Sequence, residues 1–189
     1  MKRILILSVI ALMILIPLSA TVEIDGGLLF EYDFAGFKYG FNNGASFGLD
    51  FGIKYKFLYA DVTASYRLAE TMPFRSRLSV GMAFDLWEHL RLSVCAGNDF
   101  ALIHDGENLV PSWSNGMTEG NPFNTPIFIR VETALLLKSI KLGLVANFAT
   151  PLIISKNNLP DLFKALGDQS LRETYLLMSS LALSVQWRF

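Results

Sequence analysis

Residues Tyr175 to Phe189 read YLLMSSLALSVQWRF. Taken in steps of two from the C-terminal residue, one set is Phe189, Trp187, Val185, Leu183, Leu181, Ser179, Leu177 and Tyr175. The other is Arg188, Gln186, Ser184, Ala182, Ser180 and Met178. Successive side chains of an extended strand point to opposite faces, so the segment predicts a strand with one apolar face and one mostly polar face. Aromatic residues stand at both ends of the apolar set.

The same alternation recurs upstream. Val22, Ile24, Leu28, Phe30 and Tyr32 oppose Glu23, Asp25, Gly27, Leu29 and Glu31. Phe47 to Tyr55 oppose Ser46, Gly48, Asp50, Gly52, Lys54 and Lys56, and Leu58 to Tyr66 oppose Tyr59, Asp61, Thr63, Ser65 and Arg67. A fourth strand sets Leu78 to Leu86 against Arg77, Ser79, Gly81, Ala83 and Asp85, and a fifth sets Leu90 to Phe100 against Arg91, Ser93, Cys95, Gly97 and Asp99. The sixth places Ile127, Ile129, Val131, Thr133, Leu135 and Leu137 opposite Phe128, Arg130, Glu132, Ala134 and Leu136, and the seventh places Ile140 to Phe148 opposite Lys141 to Ala149. With the last segment the count is eight. Tight turns follow strands two, four and six, and longer loops follow one, three, five and seven. That is the rhythm of an antiparallel meander through a membrane, and each strand has the roughly 9–11 residues that a tilted membrane strand needs.

Composition agrees. The 189 residues are 52% hydrophobic and 17% charged, yet no internal run reaches the ~18 apolar residues of a membrane helix. The one continuous run, Ile4 to Leu18, follows Lys2 and Arg3 and precedes Ser19 and Ala20, which reads as a signal peptide over residues 1–20. Residues 21–189 then form one barrel domain. Cys95 is the only cysteine and the net charge is −1, so no internal disulfide and no nucleic-acid partner are expected.

Alternation alone does not say which face is outside. A soluble eight-stranded barrel would turn its apolar rows inward. Aromatics break the symmetry: Phe30, Tyr32, Phe47, Tyr66, Phe100, Phe148 and Tyr175 gather at one end of the apolar face, and Tyr55, Trp187 and Phe189 at the other. Two aromatic girdles imply two membrane interfaces. The mature chain resembles the small eight-stranded outer-membrane barrels typified by OmpA's membrane domain, OmpX and OmpW, in pattern, turn rhythm and C-terminal aromatic. The resemblance implies an all-β, up-and-down transmembrane barrel in the bacterial outer membrane with both termini in the periplasm. It further implies that Trp187 and Phe189 are read by the outer-membrane insertion machinery.

Eight strands enclose an interior that side chains can fill, so a general porin is not expected. The inward set predicts a network of paired charges: Asp50, Lys54, Asp61, Arg67, Arg77, Asp85, Arg91, Asp99, Arg130 and Glu132, with Glu23, Asp25, Glu31, Lys56, Lys141 and Arg188 beside them. The alternative is a narrow passage. Leu29, Phe128, Ala149, Leu176 and Met178 are apolar on the inward face near the long loops, and with Trp113, Met117 and Phe123 they would form a pocket for small hydrophobic molecules. Packing beneath the loops is the simpler reading of these neighbours.

The first long connection, Asp33 to Ala45, continues alternation through Phe37, Tyr39 and Phe41 and would extend strands one and two as a hairpin, either one that host or partner proteins bind by strand addition or, the simpler reading, a stiff loop with no partner. Catalysis has little to stand on. His89 lies in a tight turn, and His104, beside Asp105 with Ser112 and Ser114 downstream, has no spacing that guarantees a nucleophile. No phosphate loop, metal cluster or nucleotide fingerprint is present, so no cofactor is expected.

Overall fold

The structure is a computed structural model that describes residues 22–68, 74–105, 108–113, 126–153, 176 and 179–189, with residues 43, 101–105, 108–113, 126 and 151–153 as backbone only. In chain order the described residues form β1 (Val22–Asp33), α1 (Ala35–Tyr39), a 3-10 turn (Phe41–Asn43), β2 (Ala45–Tyr55), β3 (Leu58–Arg67), β4 (Phe74–Trp87), β5 (Leu90–Asp105), β6 (Asn108–Trp113), β7 (Pro126–Leu136), β8 (Ile140–Ile153) and β9 (Ser180–Arg188). Every described pairing is antiparallel, in the order β4-β3-β2-β1-β9-β8-β7-β5-β6, and a further β4–β5 pairing closes the sheet. β6 pairs only with the far half of β5, from Phe100 to Asp105, whereas β7 pairs with Leu90 to Gly97. The closed wall therefore has eight strands, and β5 and β6 continue beyond it as a hairpin.

The facing of the side chains is decided on β9. Leu183 is 58% exposed on the outside and its neighbour Ser184 is 2% exposed on the inside. The same alternation runs round the wall: Leu28, Leu49, Phe51, Val62, Leu78, Val80, Val94, Leu135 and Leu144 are exposed, and the charged rows are buried. The largest apolar patch of a soluble monomer is about 300–600 Å². A belt contributed by every wall strand lies well above that, and hydrocarbon is the solvent that suits it. The reversed, soluble-barrel facing is excluded.

Cross-strand register draws the aromatics into a girdle. Phe30 stands opposite Phe47, Phe47 opposite Tyr66, and Tyr66 opposite Phe74, with the Phe30 and Phe47 rings 5.0 Å apart. At the other end Tyr55, Trp87, Trp187 and Phe189 are exposed. Phe189 donates its backbone N–H to Ile24 O at 2.9 Å, which ties the chain end to β1.

Five boundaries differ from the sequence expectation, the end of β8 among them, which runs to Ile153 rather than Ala149. The stretch expected to form one loop from Ala101 carries β5 on to Asp105 and returns as β6, with Asp105 opposite Asn108; the two residues between them in the sequence, Gly106-Glu107, put glycine first, as two-residue hairpin loops favour. The first connection is α1 and a 3-10 turn in place of an extended hairpin. α1 ends at Tyr39 and Gly40, at φ 97°, redirects the chain, so Phe37 from the helix and Phe41 from the 3-10 turn both reach Tyr32, with ring centres 5.1 and 5.7 Å away. β4 begins at Phe74 rather than Arg77, and β9 begins at Ser180 rather than Tyr175. Leu176, expected on the inward face of a longer last strand, lies exposed before it.

Candidate functional site: a charged lumen

The inward rows of the wall meet in three tiers, and cations reach across the lumen in each of them. At the short-turn end Arg91 of β5 pairs with Asp85 (Nε to Oδ1, 2.7 Å), with Glu23 and with Asp25 of β1 (3.3 Å). Lys54 bridges Glu23 at 3.2 Å and Asp85 at 2.6 Å, and Arg188 joins Glu23 at 3.1 Å.

At the waist, Arg130 of β7 reaches Asp50 of β2 at 2.9 Å and Asp61 of β3 at 3.1 Å with one nitrogen, Nη2. Lys141 of β8 pairs with Glu132 at 3.0 Å, donates to Tyr59 Oη at 3.0 Å and lies 5.1 Å from the centre of that ring. Ser93 donates to Glu132 at 3.1 Å and Ser79 to Asp61 at 3.3 Å. Glycine makes the room: a Cβ on Gly52 would fall 2.8 Å from Tyr59 Cζ, and one on Gly143 2.6 Å from Glu132 Oε1.

At the long-loop end Asp33 pairs with Arg67 and with Arg75 (3.0 Å), Asp99 pairs with Arg75 and with Arg77 (2.7 Å), and Glu31 pairs with Arg77. Ser180 donates to Glu31, and Asn147 donates to Glu31 at 3.3 Å and to Ser180 at 3.1 Å. The Arg77 guanidinium lies 5.5 Å from the centre of the Phe128 ring, a cation–π contact that shields one face of the ion.

A ring taken one residue per wall strand at the waist, Gly27, Asp50, Asp61, Ser79, Cys95, Arg130, Val145 and Ser184, is buried throughout, with none of the seven side chains above 2% exposed. A water-sized sphere touches almost nothing there. The lumen is filled, as the narrow bore of an eight-stranded barrel allows.

No protein-family model matches the sequence, and no curated protein matches it. Among solved structures, the N-terminal β-barrel domain of Pseudomonas aeruginosa OprF is similar, with a TM-score of 0.53 at 10% identity, over 90% of this chain and 100% of that one. The fold is a small transmembrane β-barrel. A structure from the de novo design of transmembrane β-barrels (TM-score 0.48, 8% identity, 88% of this chain and 95% of that one) and Neisserial surface protein A (0.44, 15%, 90% and 97%) also match.

Each of the ten charged residues singled out in the sequence has an ion-pair partner in one of the three tiers. Asp33 and Arg75 were missed, because each lies one or two residues outside the strand ends that alternation suggested. Lys56 does not join them: it sits in the turn after β2, with Nζ 5.5 Å from the centre of the Tyr55 ring. The apolar residues are dispersed. Leu29 packs with Val145 and Ala182, Phe128 lies under Arg77, Ala149 N–H donates to Ser179 Oγ at 3.1 Å, and Leu176 borders an outer groove with Phe34, Phe37 and Lys38. Of Trp113 only the backbone, in β6, is described, and Met117, Phe123 and Met178 lie outside the described residues. His89 is exposed in the β4–β5 turn; His104 pairs with Leu109 in the outer hairpin, and Ser114 lies outside the described residues.

Proposed function

We propose that this chain is an outer-membrane barrel protein with a structural or surface-interaction role and a lumen that does not conduct. The observation that carries the reading is the closed waist, where residues of all eight strands meet with no water-wide gap. Charge adds to it. Among the described residues the paired groups are nine carboxylates (Glu23, Asp25, Glu31, Asp33, Asp50, Asp61, Asp85, Asp99, Glu132) and eight cations (Lys54, Arg67, Arg75, Arg77, Arg91, Arg130, Lys141, Arg188). A difference of one leaves little field to draw ions through.

Passage of small hydrophobic molecules is less favoured, since Leu29, Val145 and Ala182 close on one another with no open space between them. The export signal in residues 1–20, the short turns and both termini on the periplasmic side, and assembly guided by Trp187 and Phe189 complete the proposal. The refolded protein in a planar bilayer is expected to give no resolved current steps. Reproducible steps from the unmodified chain would overturn the closed-lumen reading.

A further inference from the structure

The first long connection does not fold over the lumen. Tyr32 belongs to the outward row of β1, and the rings of Phe37 and Phe41 pack on it from α1 and the 3-10 turn, so the connection lies against the outside of the wall. Gly36 allows the close approach: a Cβ there would stand 2.6 Å from Tyr32 Cζ and 2.8 Å from Gly44 Cα. The connection is pinned by backbone bonds, Asp33 N–H to Gly44 O at 2.9 Å and Phe34 N–H to Ser179 O at 2.9 Å. Ser179 N–H in turn donates to Leu176 O at 3.0 Å.

Those bonds hold Leu176 beside Phe34, and the two residues with Phe37 and Lys38 border an apolar groove of about 570 Å³. That volume lies within the ~300–1,000 Å³ of small-ligand sites. Phe37 is 78% exposed, which is costly in water and unremarkable in acyl chains. The groove continues the lipid-facing belt upward from Phe30, Tyr32 and Phe47. Lys38, with Nζ 5.5 Å from the centre of the Tyr39 ring, supplies a cation on an apolar stem at its edge, the arrangement that meets anionic headgroups at an interface.

We propose that this groove is a lipid site: one acyl chain of an anionic phospholipid lies along Phe34, Phe37 and Leu176, and Lys38 pairs with its negatively charged headgroup. The inference rests on the membrane reading above, and the test separates the two. The F37W variant, with Trp87, Trp113 and Trp187 replaced by Phe, is reconstituted in phosphatidylcholine vesicles with or without phosphatidylglycerol, and insertion is read separately by far-UV circular dichroism and protease protection. With brominated acyl chains the F37W indole is expected to lose most of its emission. Brominated phosphatidylglycerol should quench at about fivefold lower membrane fraction than brominated phosphatidylcholine, the factor one surface lysine gives, and Lys38→Gln should remove that preference. An inserted barrel whose indole is unquenched, or is quenched only by a brominated free fatty acid, would overturn the lipid site and leave the membrane reading standing. Equal quenching by both lipids would overturn the role of Lys38. Failure of the unmodified chain to insert under the same conditions would overturn both proposals.

Discussion

The waist of the lumen and its short-turn end are built from the same chemistry at different depths. At the waist Arg130 is 1% exposed and is the cation held between two carboxylates that are equally buried, Asp50 and Asp61. At the short-turn end the side chains of Glu23 and Asp85 are 27% and 37% exposed, and three cations, Lys54, Arg91 and Arg188, overlap on them. The difference teaches that a lumen charge is costly to lose in proportion to its isolation. Solvent and a spare partner cover a gap at the end, and nothing covers one at the waist.

The largest effect expected from that contrast is at Arg130. Arg130→Met should destabilise the barrel by about 3–5 kcal/mol, because it leaves two buried carboxylates uncompensated. Adding Asp50→Asn and Asp61→Asn to the same chain should restore most of the loss. Urea unfolding in vesicles measures both, and a triple variant no better than the single one would break the explanation.

On the outer face of the same level, Leu183→Arg puts an ion into hydrocarbon beside the waist residue Ser184. A loss of about 2–4 kcal/mol is expected if that level is the bilayer midplane. A neutral result in the same unfolding assay would show that Leu183 does not meet lipid.

Lys54→Met sharpens the comparison from the other side. Glu23 and Asp85 keep Arg91, and Glu23 keeps Arg188 as well, so the loss should stay below about 1 kcal/mol, in the range of solvent-screened pairs. A loss as large as that of Arg130→Met would mean that depth is not what sets the cost.

Much of this was legible in the sequence, and the boundary of what was legible has a physical cause. Alternation puts Asp50 and Phe51 on opposite faces, because the side-chain period of a strand is two, and the aromatic girdles say which of the two faces is outside. Neither says that Asp50 meets Arg130, since that pair joins strands that are not neighbours, and the stagger of a closed barrel is a property of all its strands together. Strand ends were read short for a related reason. Asp33 and Arg75 continue the inward rows beside stretches that break the pattern, the glycine- and asparagine-rich run from Gly36 to Gly44 after the one and Pro73 before the other. In the first connection the alternation of Phe37, Tyr39 and Phe41 gave way to stacking of Phe37 and Phe41 on Tyr32 from two separate turns of chain. The signal for the β5–β6 hairpin was present as Gly106-Glu107 and was outweighed by two prolines in the stretch, Pro111 and Pro122.

The smallest effect concerns a turn at the short-turn end. Lys56 has φ of 58° in the two-residue connection from β2 to β3, a left-handed conformation that costs an L-residue and suits glycine. Lys56→Gly should stabilise the barrel, by less than about 1 kcal/mol after glycine's own entropy is counted. An unfolding midpoint that falls would show that the lysine contact with Tyr55 outweighs the backbone.

The central claim is that the apolar rows meet lipid while the charged rows face one another. It is tested most directly by spin labels on single cysteines placed in turn from Leu181 to Trp187, in a Cys95→Ser background in vesicles, with collision rates against oxygen and against a water-soluble nickel chelate. The account predicts oxygen maxima at positions 181, 183, 185 and 187 and minima between them. Maxima at 182, 184 and 186, or no period of two, would contradict it.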